Sequence, residues 1–186
     1  MGAELRVPAV HTQVSLQDAR VLLTRAWERA LGTTPPPQAV ALLVAQWALE
    51  TGRGAKMMNW NFAGIKAGES RLHTYYATTE RTTPELAAKW CARDPRVTPI
   101  AGRPGVVRVA PDAPASRFAA YLDGDDGADA YLKLLHQRYK AAWAELSTGD
   151  ATAYAKALKS KGYFTADVDE YARALASLAR EALKSA

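Results

Sequence analysis

The chain has 186 residues, 48% of them hydrophobic, with 24 Lys and Arg against 19 Asp and Glu, a formal net charge of +5 and a pI near 9.4. That length suits a single domain over residues 1–186, able to bury about 70% of its unfolded surface, and the lone Cys91 excludes an internal disulfide. The positive charge favours an anionic partner such as a nucleic acid, a membrane surface or a cell wall, but it is scattered, which argues against a nucleic-acid-binding arm.

Residues 1–14 show no element pattern and are expected to be irregular. No basic start leads into an adequate apolar run, and no stretch reaches the roughly 18 apolar residues of a membrane span, so neither a secretory signal nor a transmembrane helix is expected. Ser15 with Asp18 opens a helix whose apolar positions Leu16, Ala19, Leu23, Ala26, Trp27 and Ala30 keep a 3.6-residue period, and Gly32 ends it. Thr33-Thr34-Pro35-Pro36-Pro37 is a stiff connector, and residues 39–49 are apolar almost throughout, which predicts a central helix buried on all sides.

That helix runs into Glu50 and breaks at once through Thr51-Gly52-Arg53-Gly54 into a polar, aromatic loop. A carboxyl at the end of an apolar helix faces desolvation and the partial negative charge of unpaired carbonyls, and both favour its protonated form. A carboxyl that keeps its proton near neutral pH is what a general acid requires.

Residues 71–79 read as strand. Pro84 starts a short helix with Thr82 or Thr83 as cap, and residues 94–114 read as a Pro-rich surface excursion with at most a small hairpin around Val106 to Val109. Residues 125–146, 150–161 and 167–184 read as three helices. Trp27, Trp47, Trp90 and Trp143 fall within helices and are expected in the core, as is the Cys91 thiol.

Three segments resemble, in order, those of glycoside hydrolase family 73, the bacterial and phage endo-β-N-acetylglucosaminidases that include the flagellar muramidase type. Glu50-Thr51-Gly52 is similar to the family's acid-bearing segment, and Asn61-Phe62-Ala63-Gly64-Ile65-Lys66 to its sugar-binding segment with one inserted Ala. The stretch from Gly162 to Ala174 resembles the family's later Gly-Tyr segment. The resemblance implies an α+β, predominantly helical, lysozyme-like two-lobed fold with a small β element beside a cleft. It implies peptidoglycan hydrolysis after N-acetylglucosamine by carboxyl general acid/base catalysis. A muramidase or lytic transglycosylase on the same fold, or a non-catalytic wall-binding module, are the alternatives.

On this reading Glu50 is the acid, and Thr78-Thr79-Glu80 resembles the segment carrying the second carboxyl, so Glu80 would position water, with Glu69 as its substitute. Tyr163 would hold the 2-acetamido group or the nucleophilic water. Trp60 would stack on a sugar face, Asn61 would bond an N-acetyl group, and Phe62 would wall it. Arg53 and Lys66 would meet stem-peptide carboxylates. His11, His73 and His136 show no ligand spacing, so no metal and no cofactor are expected. The expected partner is peptidoglycan, without nucleic acid or membrane insertion. The protein would be made in the cytoplasm and reach the wall after lysis or through a phage-like or secretion apparatus. An immunity or delivery protein is the kind of partner such a route brings.

Overall fold

The computed structural model describes residues 5–68 and 72–184, and these form two compact units. One comprises His11–Gly64 and Tyr121–Ala186 and is helical; the other comprises Met1–Val10 and Ile65–Ala120 and holds all the strands.

In the helical unit, α1 (Leu16–Leu31) starts on the capping box formed by Ser15 and Asp18 and stops at Gly32, which takes the left-handed conformation. Helix α2 (Pro37–Thr51) is buried along nearly its whole length, with Leu43, Val44, Ala45, Gln46 and Trp47 showing no exposed surface. An apolar surround on every side is what its sequence demands, since each buried Leu or Val contributes about 1.5–3 kcal/mol. The fourth segment was expected to be one helix over residues 125–146. Instead it breaks at Tyr139 into α4 (Gly124–Arg138) and α5 (Lys140–Leu146). The break lets the Tyr139 ring meet Tyr163 edge to face, with centroids 5.0 Å apart, while Trp143 stacks on Trp27, also at 5.0 Å. Helices α6 (Ala151–Ser160) and α7 (Val168–Lys184) complete the unit.

The strand unit contains two three-stranded sheets. In the first, β2 (Leu72–Tyr75) lies between β1 (Leu5–Arg6), parallel to it, and β6 (Arg117–Ala119), antiparallel. The N-terminal segment is therefore not wholly irregular, because Leu5 and Arg6 pair with Leu72 and His73. Arg71, where the strand was expected to begin, lies outside the described residues. In the second sheet, β5 (Val106–Val109) is the centre, flanked by β3 (Thr78–Arg81) and β4 (Val97–Pro99).

The Pro-rich stretch is thus more than a surface excursion. Its Val107 and Val109 are buried with Val97, Ala87 and Ala113 in a small core of their own, beneath α3 (Pro84–Arg93). Arg96 fastens the two ends of this stretch, bonding the Asp94 carboxylate and the Asp112 carbonyl. Trp90 and Cys91 are half-buried against this small core, and Trp143 is half-buried in the helical unit, so three residues expected inside reach the surface.

Candidate active site

Gln46 and Glu50 are one turn apart on α2 and so share a face. Four tyrosines gather around that face: Tyr131 of α4, Tyr154 of α6, Tyr171 of α7, and Tyr163 from the turn after α6. The Glu50 side chain reaches the surface, but its carboxyl accepts a hydrogen bond from the Tyr171 hydroxyl at 2.8 Å and lies against this aromatic group. Desolvation raises the Glu50 pKa above the ordinary carboxyl value, and the Tyr171 bond partly opposes that rise. The same crowding raises Tyr131, Tyr154, Tyr163 and Tyr171, burial being the first cause for each and the Glu50 charge a further one.

The turn after Glu50 is built to end the helix at that residue. Gly52 takes a φ of +59°, which removes the steric penalty of a left-handed C-cap. Thr51 Oγ1 donates to the Trp47 carbonyl at 2.6 Å and accepts from the Gly54 N–H at 2.9 Å. Arg53 forms a two-pronged pair with Glu181 of α7, at 2.5 and 2.7 Å, so its guanidinium is already engaged.

In the loop that follows, Met57 is buried and its sulfur accepts from the Trp47 indole N–H at 3.3 Å. Asn59 and Trp60 both adopt positive φ, and the Trp60 N–H donates to Thr12 Oγ1. Trp60 keeps part of its ring exposed. Asn61 is 3% exposed and Phe62 has no exposed surface, its ring packing on Trp47 at 6.1 Å. Phe62 therefore seats the loop in the core, and of the three only Trp60 offers surface to a ligand. Tyr163 is half-buried, with its hydroxyl enclosed.

Lys66 and Glu80 belong to the strand unit. Lys66 Nζ donates to the Ala115 carbonyl at 2.5 Å, lies 3.7 Å from the centroid of the Phe118 ring, and is 3.9 Å from Glu80 Oε1. Partial burial lowers its pKa, and the Glu80 charge opposes this. Glu80 stands opposite Val107 on β3 and accepts from Thr78 Oγ1 at 3.2 Å. Lys66 and Glu80, with Trp90, Arg93, Val109 and Ala115, line a cavity of about 560 Å³ in that unit. Glu69 lies outside the described residues. Among the described residues no group of three His, Cys, Asp or Glu could hold a metal, and no helix is long and apolar enough to cross a membrane.

Sequence reasoning did not single out Gln46, Tyr131, Tyr154 or Tyr171. Gln46 carried a signal nonetheless, as the lone polar residue inside an apolar helix.

A sequence model of a family described as mannosyl-glycoprotein endo-beta-N-acetylglucosaminidase matches residues 37–184. Among solved structures, a mutant of a peptidoglycan hydrolase from Sphingomonas sp. A1 is 26% identical, with a TM-score of 0.56, covering 94% of this chain and 100% of that one. The catalytic domain of the autolysin Auto from Listeria monocytogenes is 19% identical, with a TM-score of 0.57, covering 91% and 84%, and shares the fold. No curated protein matches the chain.

Proposed function

Since the chain belongs to the family of mannosyl-glycoprotein endo-beta-N-acetylglucosaminidases, we propose that it hydrolyses peptidoglycan glycan strands after N-acetylglucosamine, with Glu50 as the general acid. The chain is a glycoside hydrolase of lysozyme-like fold. Peptidoglycan as substrate is supported by the similarity to the Sphingomonas peptidoglycan hydrolase. The observation that carries the Glu50 assignment is its carboxyl, at the end of a buried helix, bonded by Tyr171 and raised in pKa by desolvation.

Cleavage of a glycosidic bond needs a proton delivered to the leaving oxygen and a partner for the oxocarbenium-like centre. Glu50 supplies the proton. Tyr163, in the same unit, is the group to bond the substrate's acetamido oxygen or a water, and Trp60 the ring to meet a sugar face. Glu80 is assigned the base from its motif, and its cavity gives it room for water. Asn61 supports the loop beside Trp60, and Lys66 balances the Glu80 charge.

The test is clearing of purified sacculi by wild type beside Glu50→Gln, which keeps the shape and cannot donate a proton to the leaving group. A loss of at least about 100-fold is expected; activity within about threefold of wild type in a folded variant removes Glu50 from the mechanism. Mass spectrometry of the digest reads the bond. Reducing N-acetylglucosamine ends fit the proposal, whereas reducing muramic or anhydro-muramic ends point to a muramidase or a transglycosylase. Glu80→Gln separates a water-positioning base from assistance by the substrate's acetamido group, which would leave most of the turnover intact.

A further inference from the structure

Gln46 is a fully buried amide in a helix otherwise made of apolar side chains. Burying an amide without partners costs several kcal/mol, so its bonds define its position. Its Oε1 accepts from the Tyr131 hydroxyl at 2.5 Å and from the Tyr154 hydroxyl. A carbonyl oxygen has two lone pairs, so these two donors saturate it.

The direction of this arrangement is set by the hydroxyl protons. If the amide were turned over, the acceptors left among the described residues would be poorer ones, the Leu43 carbonyl, 3.5 Å away, for the Tyr131 proton and the Tyr131 hydroxyl for that of Tyr154. A buried donor is costly to leave with a poor acceptor, which holds the amide with its oxygen toward the two tyrosines.

The consequence falls on the other end of the amide. Gln46 Nε2 and the Tyr163 hydroxyl are both enclosed, and among the described residues neither closes a hydrogen bond of good geometry. They are neighbours, since the Gln46 side chain acts on the ionisation of Tyr163. Each is the kind of group the other lacks: Nε2 only donates, and the tyrosine oxygen accepts.

We propose that Gln46 is a positioning residue that fixes the direction of the Tyr163 hydroxyl, its Nε2–H bonding the Tyr163 oxygen directly or through one water. With that oxygen occupied as an acceptor, the Tyr163 proton is turned away from Gln46, and a substrate group or water that reaches the enclosed hydroxyl receives it. The result is a one-way chain: Tyr131 and Tyr154 donate to Gln46, Gln46 to Tyr163, and Tyr163 to the ligand. This rests on the reading of Tyr163 as a substrate-contacting residue of the glucosaminidase.

A double-mutant cycle tests it, using Gln46→Met, which keeps the length and removes the hydrogen bonds, and Tyr163→Phe. Gln46→Met should lower kcat about tenfold, with KM within about threefold, and should lower it no further when Tyr163 is already Phe. Two results overturn the proposal: a kcat for Gln46→Met within about twofold of wild type, or losses that multiply in the double variant, as a purely structural role requires. Should Gln46→Met fail to fold, Tyr131→Phe/Tyr154→Phe frees the amide to turn and is read the same way.

Failure of the underlying glucosaminidase reading looks different: the wild type then releases no reducing N-acetylglucosamine ends. In that case NMR decides. The Gln46 side-chain amide protons, assigned by their loss in Gln46→Met, shift in Tyr163→Phe if the two residues are bonded and stay in place if they are not.

Discussion

Replacing Gly127 by alanine would drive a methyl group against the backbone on which Trp60 sits. A Cβ built at Gly127 falls 2.0 Å from the Trp60 carbonyl oxygen and 3.2 Å from its Cβ. Real contacts of this kind do not close below 3.0 Å, so α4 and the Trp60 loop must part by about 1 Å, at an overpacking cost of about 1–3 kcal/mol. Opposing it is the gain of removing a glycine from a helix, about 0.5–1 kcal/mol. The net expectation is a loss of about 1–2 kcal/mol, a fall in Tm of about 2–8 °C for a chain of this size. Without the close approach the sign reverses, because alanine would then stabilise the helix. Urea unfolding and thermal melts of Gly127→Ala beside wild type give that sign. Gly124→Ala is the contrast, since the atoms nearest its Cβ are the far ends of the Leu22 and Trp60 side chains rather than backbone. A Gly127→Ala protein as stable as wild type, or more so, would refute the claim that this glycine is required for the helix to approach the loop.

Other outcomes follow from the same geometry. Burial raises the Glu50 pKa, so the folded chain binds this proton more tightly than the unfolded one. Stability is then lost as pH rises from the unfolded Glu value of about 4.3 through the folded pKa. Glu50→Gln should therefore become progressively more stable than wild type across that window, measured as urea midpoints against pH; a difference that does not vary with pH would rule this out. Tyr171→Phe removes the bond that opposes the rise, so the Glu50 pKa should climb further and the alkaline limb of kcat/KM should move to higher pH. A downward shift would show that Tyr171 does not stabilise the charged form. Chelation by EDTA should leave turnover unchanged, and recovery of a lost activity by added zinc would overturn a mechanism resting on carboxyls alone.

Local signals were legible in the sequence, and long-range ones were not. Ser15, Asp18, Gly32, Thr83 and Gly52 act on their own helix ends, and all five do so in the structure. Glu50 could be found because the apolar run before it and the turn after it lie within a few residues. The break at Tyr139 could not, since its apolar spacing continues unbroken and the ring that Tyr139 meets, Tyr163, lies 24 residues further on. Within residues 94–114 the small hairpin around Val106–Val109 was legible and forms with Val97–Pro99, but its pairing with Thr78–Arg81 was not, because that strand lies on the far side of a helix in the sequence. Tyr131, Tyr154 and Tyr171 come from helices distant in sequence, and each alone reads as an ordinary core aromatic.

The segment Ile65–Ala120 begins and ends at one spot, for the Ala119 N–H bonds the Ile65 carbonyl at 2.9 Å and Lys66 bridges to Phe118. Its two chain ends are in effect stitched together, so a segment of different length attached at the same stitch would incur little additional loop-closure entropy, about 0.6 kcal/mol for each doubling. The helical unit, which carries Glu50 and Tyr163, has a core of its own whose residues all lie outside that segment. Grafting in a strand segment from a relative, cut at Ile65 and Ala120 and with β1 matched to its new neighbour, is therefore a practical way to exchange the part of the enzyme that holds Lys66 and Glu80 without redesigning the part that holds the acid.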